Sequence, residues 1–187
     1  MKLKAMVYLF FSFVLVGCSG SYIVDEHVIS TDGEHRLFEI DRSFEFVGYF
    51  DYTKVNSKNN SVLSTNHTKV KVFLSNGGEI ILAQLSNCSN CDFKLDHKSS
   101  KKLNRTSNNK KDVMVNRQDI SDLYKLHPTY ISSLNRLLPL SNQIDNMTNH
   151  CFDYYERPQR RSNVKVGILE SCDVSTLTKS IKKIEVI

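Results

Sequence analysis

Alternation of apolar and polar residues between Leu37 and Tyr52 restricts the folding of this 187-residue chain more than any other feature. Most even positions in the segment are aromatic or aliphatic, whereas acidic side chains occupy odd positions 39, 41, 45 and 51. Successive side chains of a β-strand point to opposite faces, so the pattern predicts a strand with one aromatic face. Because the segment exceeds the usual length of a strand, we expect a bend or bulge at Arg42-Ser43 or at Gly48.

A β-hairpin is predicted around Gly77-Gly78. A type I′ turn requires positive φ at both central residues, a conformation that glycine adopts without steric cost. With both glycines in the turn, apolar residues 70, 72 and 74 face apolar residues 85, 83 and 81. A turn at Asn76-Gly77 would place Leu74 opposite Glu79, which is the poorer register.

Two polar segments are predicted to be surface loops. Residues 54–67 are rich in Asn, Ser and Lys, a composition typical of turns and loops. Residues 98–111 carry six basic side chains among serines and asparagines, so a solvated loop is expected there too. The alternative for that second segment is contact with an anionic partner, such as a phosphorylated glycolipid or a cell-wall polymer. Its basic residues are Lys98, Lys101, Lys102, Arg105, Lys110 and Lys111.

Residues 116–138 are predicted to be helical. Asn116 can cap a helix with an aspartate in its first turn, which places residues 120, 123, 124 and 127 on one face. Pro128 interrupts helical hydrogen bonding. We therefore expect a second short helix with apolar residues 131, 134 and 138, which Pro139 ends.

The remaining C-terminal segments return to strand character, at 151–156, 164–171 and 181–187, with a polar turn at 157–163. Together these elements predict an α+β fold, in which an antiparallel sheet of hairpins packs the helical segment on one face. The alternative is a mostly-β sandwich with a helical insertion.

The first 18 residues have the organisation of an export signal. A basic start precedes an apolar run, residues 5–16, which ends in Gly17 and Cys18. The run is too short to span a bilayer as a mature helix and indicates a removed segment. The sequence Leu-Val-Gly-Cys at 15–18 resembles the lipobox of bacterial lipoproteins.

This resemblance implies that cleavage follows Gly17 and that Cys18 receives a diacylglyceryl thioether and a further acyl chain. Two or three acyl chains hold a protein firmly, whereas one holds it only marginally. Since Ser19 rather than an aspartate follows the cysteine, the enterobacterial sorting rule implies transfer to the outer membrane. We expect a lipid-anchored protein of a Gram-negative bacterium, with its domain in the periplasm or at the surface.

Three segments are expected along the chain: the signal at 1–17, an acylated tether at 18–31, and a single domain at 32–187. The formal charge of the whole chain is +5, and loss of the two signal lysines leaves the exported part only mildly basic. No strongly basic stripe with interleaved aromatic residues occurs in the sequence. We therefore expect no nucleic-acid partner.

The exported chain keeps four cysteines besides Cys18, and an even number in an oxidising compartment predicts two disulfides. Cys151 and Cys172 are symmetric about the midpoint of residues 161 and 162, inside the predicted turn. In a hairpin of that register they lie directly opposite each other, at a separation that a disulfide can bridge.

Cys88 and Cys91 are predicted to form a local structural disulfide. Their spacing matches that of thiol oxidoreductases, in which a helix N-terminus lowers the pKa of the attacking thiol, but no obvious helix follows here. Zinc binding by these two cysteines with His97 and either His150 or Cys151 is a further alternative. Oxidation of the thiols would compete with it.

No recognisable catalytic motif occurs in the chain: there is no Gly-x-Ser-x-Gly elbow, no His-Glu-x-x-His helix, no phosphate loop and no dinucleotide fingerprint. We expect no catalytic residues, no metal and no cofactor. The predicted function is a non-enzymatic lipoprotein that binds an envelope component, namely a secretion or assembly machine, a toxin or the cell wall. The alternative is a periplasmic enzyme, either a thiol oxidoreductase through Cys88 and Cys91 or a hydrolase whose site forms only in three dimensions.

Overall fold

The computed structural model describes residues 25–30, 36–90, 101–102, 114–121, 129–144, 149–159, 161–173 and 183–187. The predicted signal, cleavage site and lipidation site, including Gly17 and Cys18, lie outside these residues. So do Cys91, His97 and four of the six basic residues between 98 and 111, namely Lys98, Arg105, Lys110 and Lys111. None of the helices in the described part is long and apolar enough to cross a membrane.

Ten strands form two antiparallel sheets in the described residues. The smaller sheet has the order β1-β2-β10, with β1 at Val28–Ser30, β2 at Arg36–Ile40 and β10 at Ile184–Val186. The larger sheet has the order β3-β4-β5-β9-β8-β7-β6. Its strands are β3 Phe44–Lys58, β4 Ser61–Ser75, β5 Ile80–Ser89, β6 Lys101–Lys102, β7 Met114–Asp119, β8 His150–Pro158 and β9 Ser162–Ser171. Helix α1 spans Thr129–Leu137, and a 3₁₀ turn follows at Leu140–Asn142.

The central part of the larger sheet is buried on both faces. Alternate residues of its central strands, such as Val72 and Leu82, pack with Ile131 and Leu134 of α1. The intervening residues, such as Ile81, pack against the smaller sheet. The α+β prediction is therefore wrong, because the chain is mostly β and a single helix with described bounds covers one face of one sheet. The mostly-β content of the chain agrees with the alternative prediction of a mostly-β fold.

The predicted strand at 37–52 is divided between the two sheets. A turn at 41–43 separates β2 from β3, and the amide of Phe44 donates to the carbonyl of Asp41 at 3.1 Å. The register of β3 against β4 shifts between Phe46 and Gly48, which marks a bulge. Gly48 has φ of +142°, and a Cβ there would lie 2.9 Å from Leu137 of α1. The bulge therefore brings the helix close to the sheet.

The β4–β5 hairpin forms as predicted, but its register is displaced by one residue. Val72 faces Leu82, and Leu74 faces Ile80. The turn has three residues, because the amide of Gly78 donates to the carbonyl of Ser75 at 3.0 Å and only Gly78 of the two glycines has positive φ. This geometry is typical of a three-residue hairpin loop with glycine in the left-handed conformation.

The loop predicted at 54–67 is wrong, because β3 and β4 continue through it as a long hairpin. Asn59 and Asn60 have φ of 51° and 62°, as a two-residue type I′ turn requires. Asparagine tolerates this conformation better than most other residues. Strands pair through backbone hydrogen bonds, which do not depend on apolar side chains. A polar composition therefore does not distinguish a loop from an exposed hairpin. Lys101 and Lys102 likewise pair with β7 as a short strand instead of lying in a loop.

The helical prediction is wrong for its first part. Asn116 lies in β7 opposite Tyr154, where its side chain donates to Glu156 at 2.9 Å instead of capping a helix. The second short helix is confirmed as α1, with residues 131, 134 and 138 buried and Pro139 immediately after. Residues 122–128 lie outside the described part.

The predicted disulfide between Cys151 and Cys172 is confirmed, with 4.9 Å between the Cα atoms. Its predicted register is wrong, because Cys151 faces Glu170 and the amide of Cys172 donates to the carbonyl of Asn149 at 2.8 Å. The two cysteines are thus diagonal neighbours instead of direct partners. The cause is the position of the β8–β9 turn: Pro158 pairs with Asn163, so the turn is centred between residues 160 and 161, one residue earlier than predicted.

Candidate functional site

A groove of about 330 Å³ lies on the larger sheet, and we call it the sheet groove. Four strands line it: β3, β4, β5 and β9. The lining residues are Asp51, Tyr52, Thr53, His67, Thr68, Lys69, Leu85, Ser86, Asn87, Ser162, Asn163 and Val164.

Cross-strand pairing arranges most of the lining residues in two rows. Residues 53, 67, 87 and 162 are successive partners across the four strands, and residues 51, 69, 85 and 164 form the next row. Both rows share the sheet face that carries Phe73 and Val166, since strand side chains repeat every two residues. Phe73 and Val166 are buried with residues of the smaller sheet. The sheet groove therefore begins where the smaller sheet stops covering the larger one.

The sheet groove offers hydrogen-bonding groups above an apolar floor. His67 and Thr53 contact each other at 3.2 Å between Nδ1 and Oγ1, and Asn87 is exposed. The ammonium of Lys69 lies 4.6 Å from the centre of the exposed Tyr49 ring. Val164 is almost fully buried and forms part of the floor. Such a surface suits a polar ligand or partner held by several hydrogen bonds and one apolar contact.

The β3–β4 hairpin extends beyond the sheet groove, and we call residues 54–66 the hairpin arm. Strand β5 pairs with β4 only from Thr65 onward, so the outer half of the hairpin arm is two-stranded. Three apolar side chains of this arm are more than half exposed: Val55, Val62 and Leu63. The hairpin arm contains no Asp or Glu.

A polar cluster on the opposite face of the sheet has a structural role. The buried amide of Gln84 donates to the hydroxyl of fully buried Tyr130 at 2.9 Å, which ties β5 to α1. Burial raises the pKa of the Tyr130 phenol and lowers that of the Lys165 ammonium. Glu156 accepts from Asn163 at 2.6 Å and lies 3.9 Å from Lys165. These groups pair with one another inside the protein, except that the buried Oδ1 of Asn163, a residue that also lines the sheet groove, has no hydrogen-bond partner among the described residues.

A second ion cluster holds edge strand β7 to the sheet. The carboxylate of Asp153 is completely buried and accepts two hydrogen bonds from Arg117, each of 2.6 Å. The same guanidinium donates to the carbonyl of Cys172 at 3.2 Å. Its partners raise the pKa of Arg117, chiefly through the hydrogen bonds to Asp153. The cluster links β7, β8 and the disulfide, so it also has a structural role.

Cys88 lies near the end of β5, is 6% exposed, and is disulfide-bonded. Its partner lies outside the described residues, and pairing with Cys91 stays a prediction. The zinc alternative does not fit this arrangement. The amide of Cys88 donates to Arg161 beside the β8–β9 turn, whereas His150 and Cys151 begin β8 at the far end of that strand. Within the described part of the chain, no three His, Cys, Asp or Glu side chains are grouped to hold a metal ion.

Neither the sheet groove nor the hairpin arm was predicted from the sequence. The groove combines residues from four strands, and no local motif joins them. The hairpin arm fell in a segment predicted to be a loop. Its one usable signal was the Asn59-Asn60 pair, since asparagine is common where both turn residues need positive φ.

Comparison of the chain with protein-family models, with curated proteins and with solved structures finds no match.

Proposed function

We propose that this chain is a non-enzymatic lipoprotein, anchored through Cys18 in the outer membrane of a Gram-negative bacterium, whose domain binds another component of the envelope. The sheet groove carries this proposal. It is open to solvent and combines hydrogen-bonding side chains with a buried apolar floor. Its residues belong to four hydrogen-bonded strands, so the binding surface is fixed before a partner arrives.

The disulfide supports the same proposal. Cys151 and Cys172 cross-link the ends of β8 and β9 away from their turn, and β9 also lines the sheet groove. A cross-link across 21 residues restricts the unfolded chain and stabilises the fold by about 3 kcal/mol. An exported domain with such a bond suits the oxidising compartment that the signal sequence implies.

The oxidoreductase alternative has less support. A reactive thiol needs access and a group that lowers its pKa, such as a helix N-terminus. Cys88 lies in a strand, is nearly buried, and is already part of a disulfide. A soluble chain comprising residues 19–187 should therefore fail to catalyse exchange with a model disulfide. Catalytic exchange that Cys88→Ser with Cys91→Ser removes would favour the enzyme instead.

The anchor is tested by Cys18→Ala in cells fed a fatty-acid analogue. The unchanged protein should incorporate the label and fractionate with the outer membrane, since two or three acyl chains hold it there. The variant should be unlabelled and remain an unprocessed precursor. Cys88→Ser serves as the matched control, because it removes a cysteine outside the signal sequence. Equal labelling of the wild type and Cys18→Ala would refute the lipoprotein assignment.

Binding at the sheet groove is tested by site-specific photo-crosslinking in intact cells. A photoreactive residue at exposed position 87 should give one discrete adduct, identified by mass spectrometry as a protein or a wall fragment. The same residue at exposed Ser132 on α1 is the control and should give none. Adducts of equal yield from both positions, or none from position 87, would contradict binding at the groove.

A further inference from the structure

The end of the hairpin arm exposes apolar side chains beyond the point where the described strand β5 pairs with β4. Val62 is 64% exposed, Leu63 is 55% exposed and Val55 is 53% exposed. Outside β3 and β4, Leu140 is the only large hydrophobic residue in the described part that is more than half exposed. Because three such residues lie within one narrow hairpin, they form a local apolar surface and are not isolated exposed side chains.

Between Tyr52 and Gly78 every formal charge of the β3–β4 hairpin is positive. Lys54 and Lys58 lie on β3, and no acidic residue occurs between Tyr52 and Gly78. Neither lysine forms an ion pair with a described residue. Both charges therefore remain available to an anionic surface.

The end of the hairpin arm lies far from the first described residues of the chain. The first described residues lie at the other end of β3, where His27 Nε2 is 2.6 Å from the carbonyl oxygen of Phe44. Strand β3 has 15 residues, so about 45–50 Å separates that contact from the Asn59-Asn60 turn. The first described residues are therefore far from the apolar end of the hairpin arm.

We propose that the end of the hairpin arm binds an anionic lipid bilayer, with Val55, Val62 and Leu63 entering the headgroup region and Lys54 and Lys58 contacting lipid phosphates. Lysines near a charged membrane gain from its negative surface potential, and apolar side chains beside them gain from leaving water. The hairpin arm offers both groups together and carries no acid that would repel the membrane.

A protein partner fits this end of the hairpin less well. A stable protein interface covers roughly 800 Å² on each side, with complementary shape. Two unsupported strands with three exposed apolar side chains provide a much smaller surface. A bilayer requires no complementary shape, because its headgroup region adapts to the inserted side chains. The inference is independent of the sheet groove and of acylation at Cys18.

The test uses the unacylated chain of residues 19–187, which contains every described residue. It is mixed with vesicles of phosphatidylglycerol and phosphatidylcholine in equal parts, and with vesicles of phosphatidylcholine alone. We expect sedimentation with the anionic vesicles only, and release at high salt, since salt screens exposed charges.

Two sets of variants separate the charge contribution from the apolar one. Lys54→Gln with Lys58→Gln should weaken binding about 25-fold, because each lysine near an anionic surface contributes roughly fivefold. Val62→Ser with Leu63→Ser should weaken it about tenfold or more through lost apolar burial. Arg136→Gln and Leu140→Ser are the matched controls, since both side chains are exposed outside the hairpin arm. These controls should bind as the unchanged chain does.

All altered side chains except the partly buried Lys54 are solvent-exposed, and circular dichroism with thermal unfolding verifies that each variant keeps the fold. Failure of the unchanged chain to bind anionic vesicles would overturn the proposal and point to a protein partner for the hairpin arm. Equal losses in the arm variants and in the controls would overturn it as well. A Cys18 that is not acylated would refute the lipoprotein anchor without affecting this result.

Discussion

Two arginine–aspartate pairs show how burial decides what an ion pair contributes to stability. Arg117 binds Asp153, whose side chain is completely buried, while Arg42 binds Asp25 at the surface. Removing one partner of a buried pair leaves an uncompensated charge, at a cost of about 3–5 kcal/mol. An exposed pair is screened by water and contributes at most about 1 kcal/mol.

We therefore predict that Arg117→Met lowers the free energy of unfolding by about 3 kcal/mol or more, whereas Arg42→Met lowers it by about 1 kcal/mol or less. Urea unfolding followed by circular dichroism measures both. The two variants make the same chemical change, so similar losses would show that the Arg117–Asp153 pair is not the structural link assigned to it. This pair was not predictable from the sequence, because its members lie on different strands and neither belongs to a local motif.

At the scale of elements, sequence patterns located strands and turns better than they fixed register. The Gly77-Gly78 turn was found, yet the pairing differs by one residue because a three-residue loop replaces the two-residue turn. A further signal was present in residues 80–83, which are all apolar. A continuous apolar run is typical of a strand buried on both faces, and β5 is such a strand. Alternation alone could not reveal that second buried face.

The hairpin arm gives a test of turn chemistry. Asn59 and Asn60 both have positive φ, and Asn-Gly is the most favourable pair for a type I′ turn. Asn60→Gly should therefore preserve or slightly raise the thermal unfolding midpoint. Asn60→Val should lower it, because a β-branched residue is strained at positive φ.

Hydrogen exchange provides the local measurement for these two variants. Amides of the outer hairpin arm should exchange faster in Asn60→Val and no faster in Asn60→Gly, while amides of β9 remain unchanged in both. Identical exchange in the two variants would indicate that the arm is not held by this turn. The same comparison would also show whether a polar segment predicted to be a loop keeps its strand pairing in solution.

Across the whole molecule, the sequence predicted the presence of sheet hairpins and one disulfide but not how the layers pack. The aromatic strand at 37–52 was expected to form one element, whereas its first part joins the smaller sheet and its second part the larger one. This division produces two cores, one on each face of the larger sheet. The sheet groove follows from the same division, since it lies where the smaller sheet ends. Because the groove forms only where the smaller sheet ends, no local sequence motif predicts it.

Acid should destabilise the whole fold in two stages. Burial lowers the pKa of His150 below its usual value of 6.5, and the buried Nδ1 atom has no hydrogen-bond partner within the described residues. The unfolded chain therefore takes up a proton on this residue before the folded chain does. The stability that neutral His150 contributes is complete above pH 6.5 and is lost as the pH falls below it.

The second stage belongs to two surface carboxylates. The hydrogen bond from Arg42 lowers the pKa of Asp25, and the backbone amide of Ser43 lowers that of Asp41. Because both pKa values lie below the unfolded value of 3.8, the stability they contribute is present above pH 3.8 and is lost below it.

Urea midpoints measured from pH 8 to pH 3 should fall first below about pH 6.5 and again below about pH 4. His150→Gln should abolish the first decline and retain the second, while His67→Gln, at an exposed position in the sheet groove, should retain both. A first decline that persists in His150→Gln would assign the decline to another group and contradict the role of this partly buried imidazole.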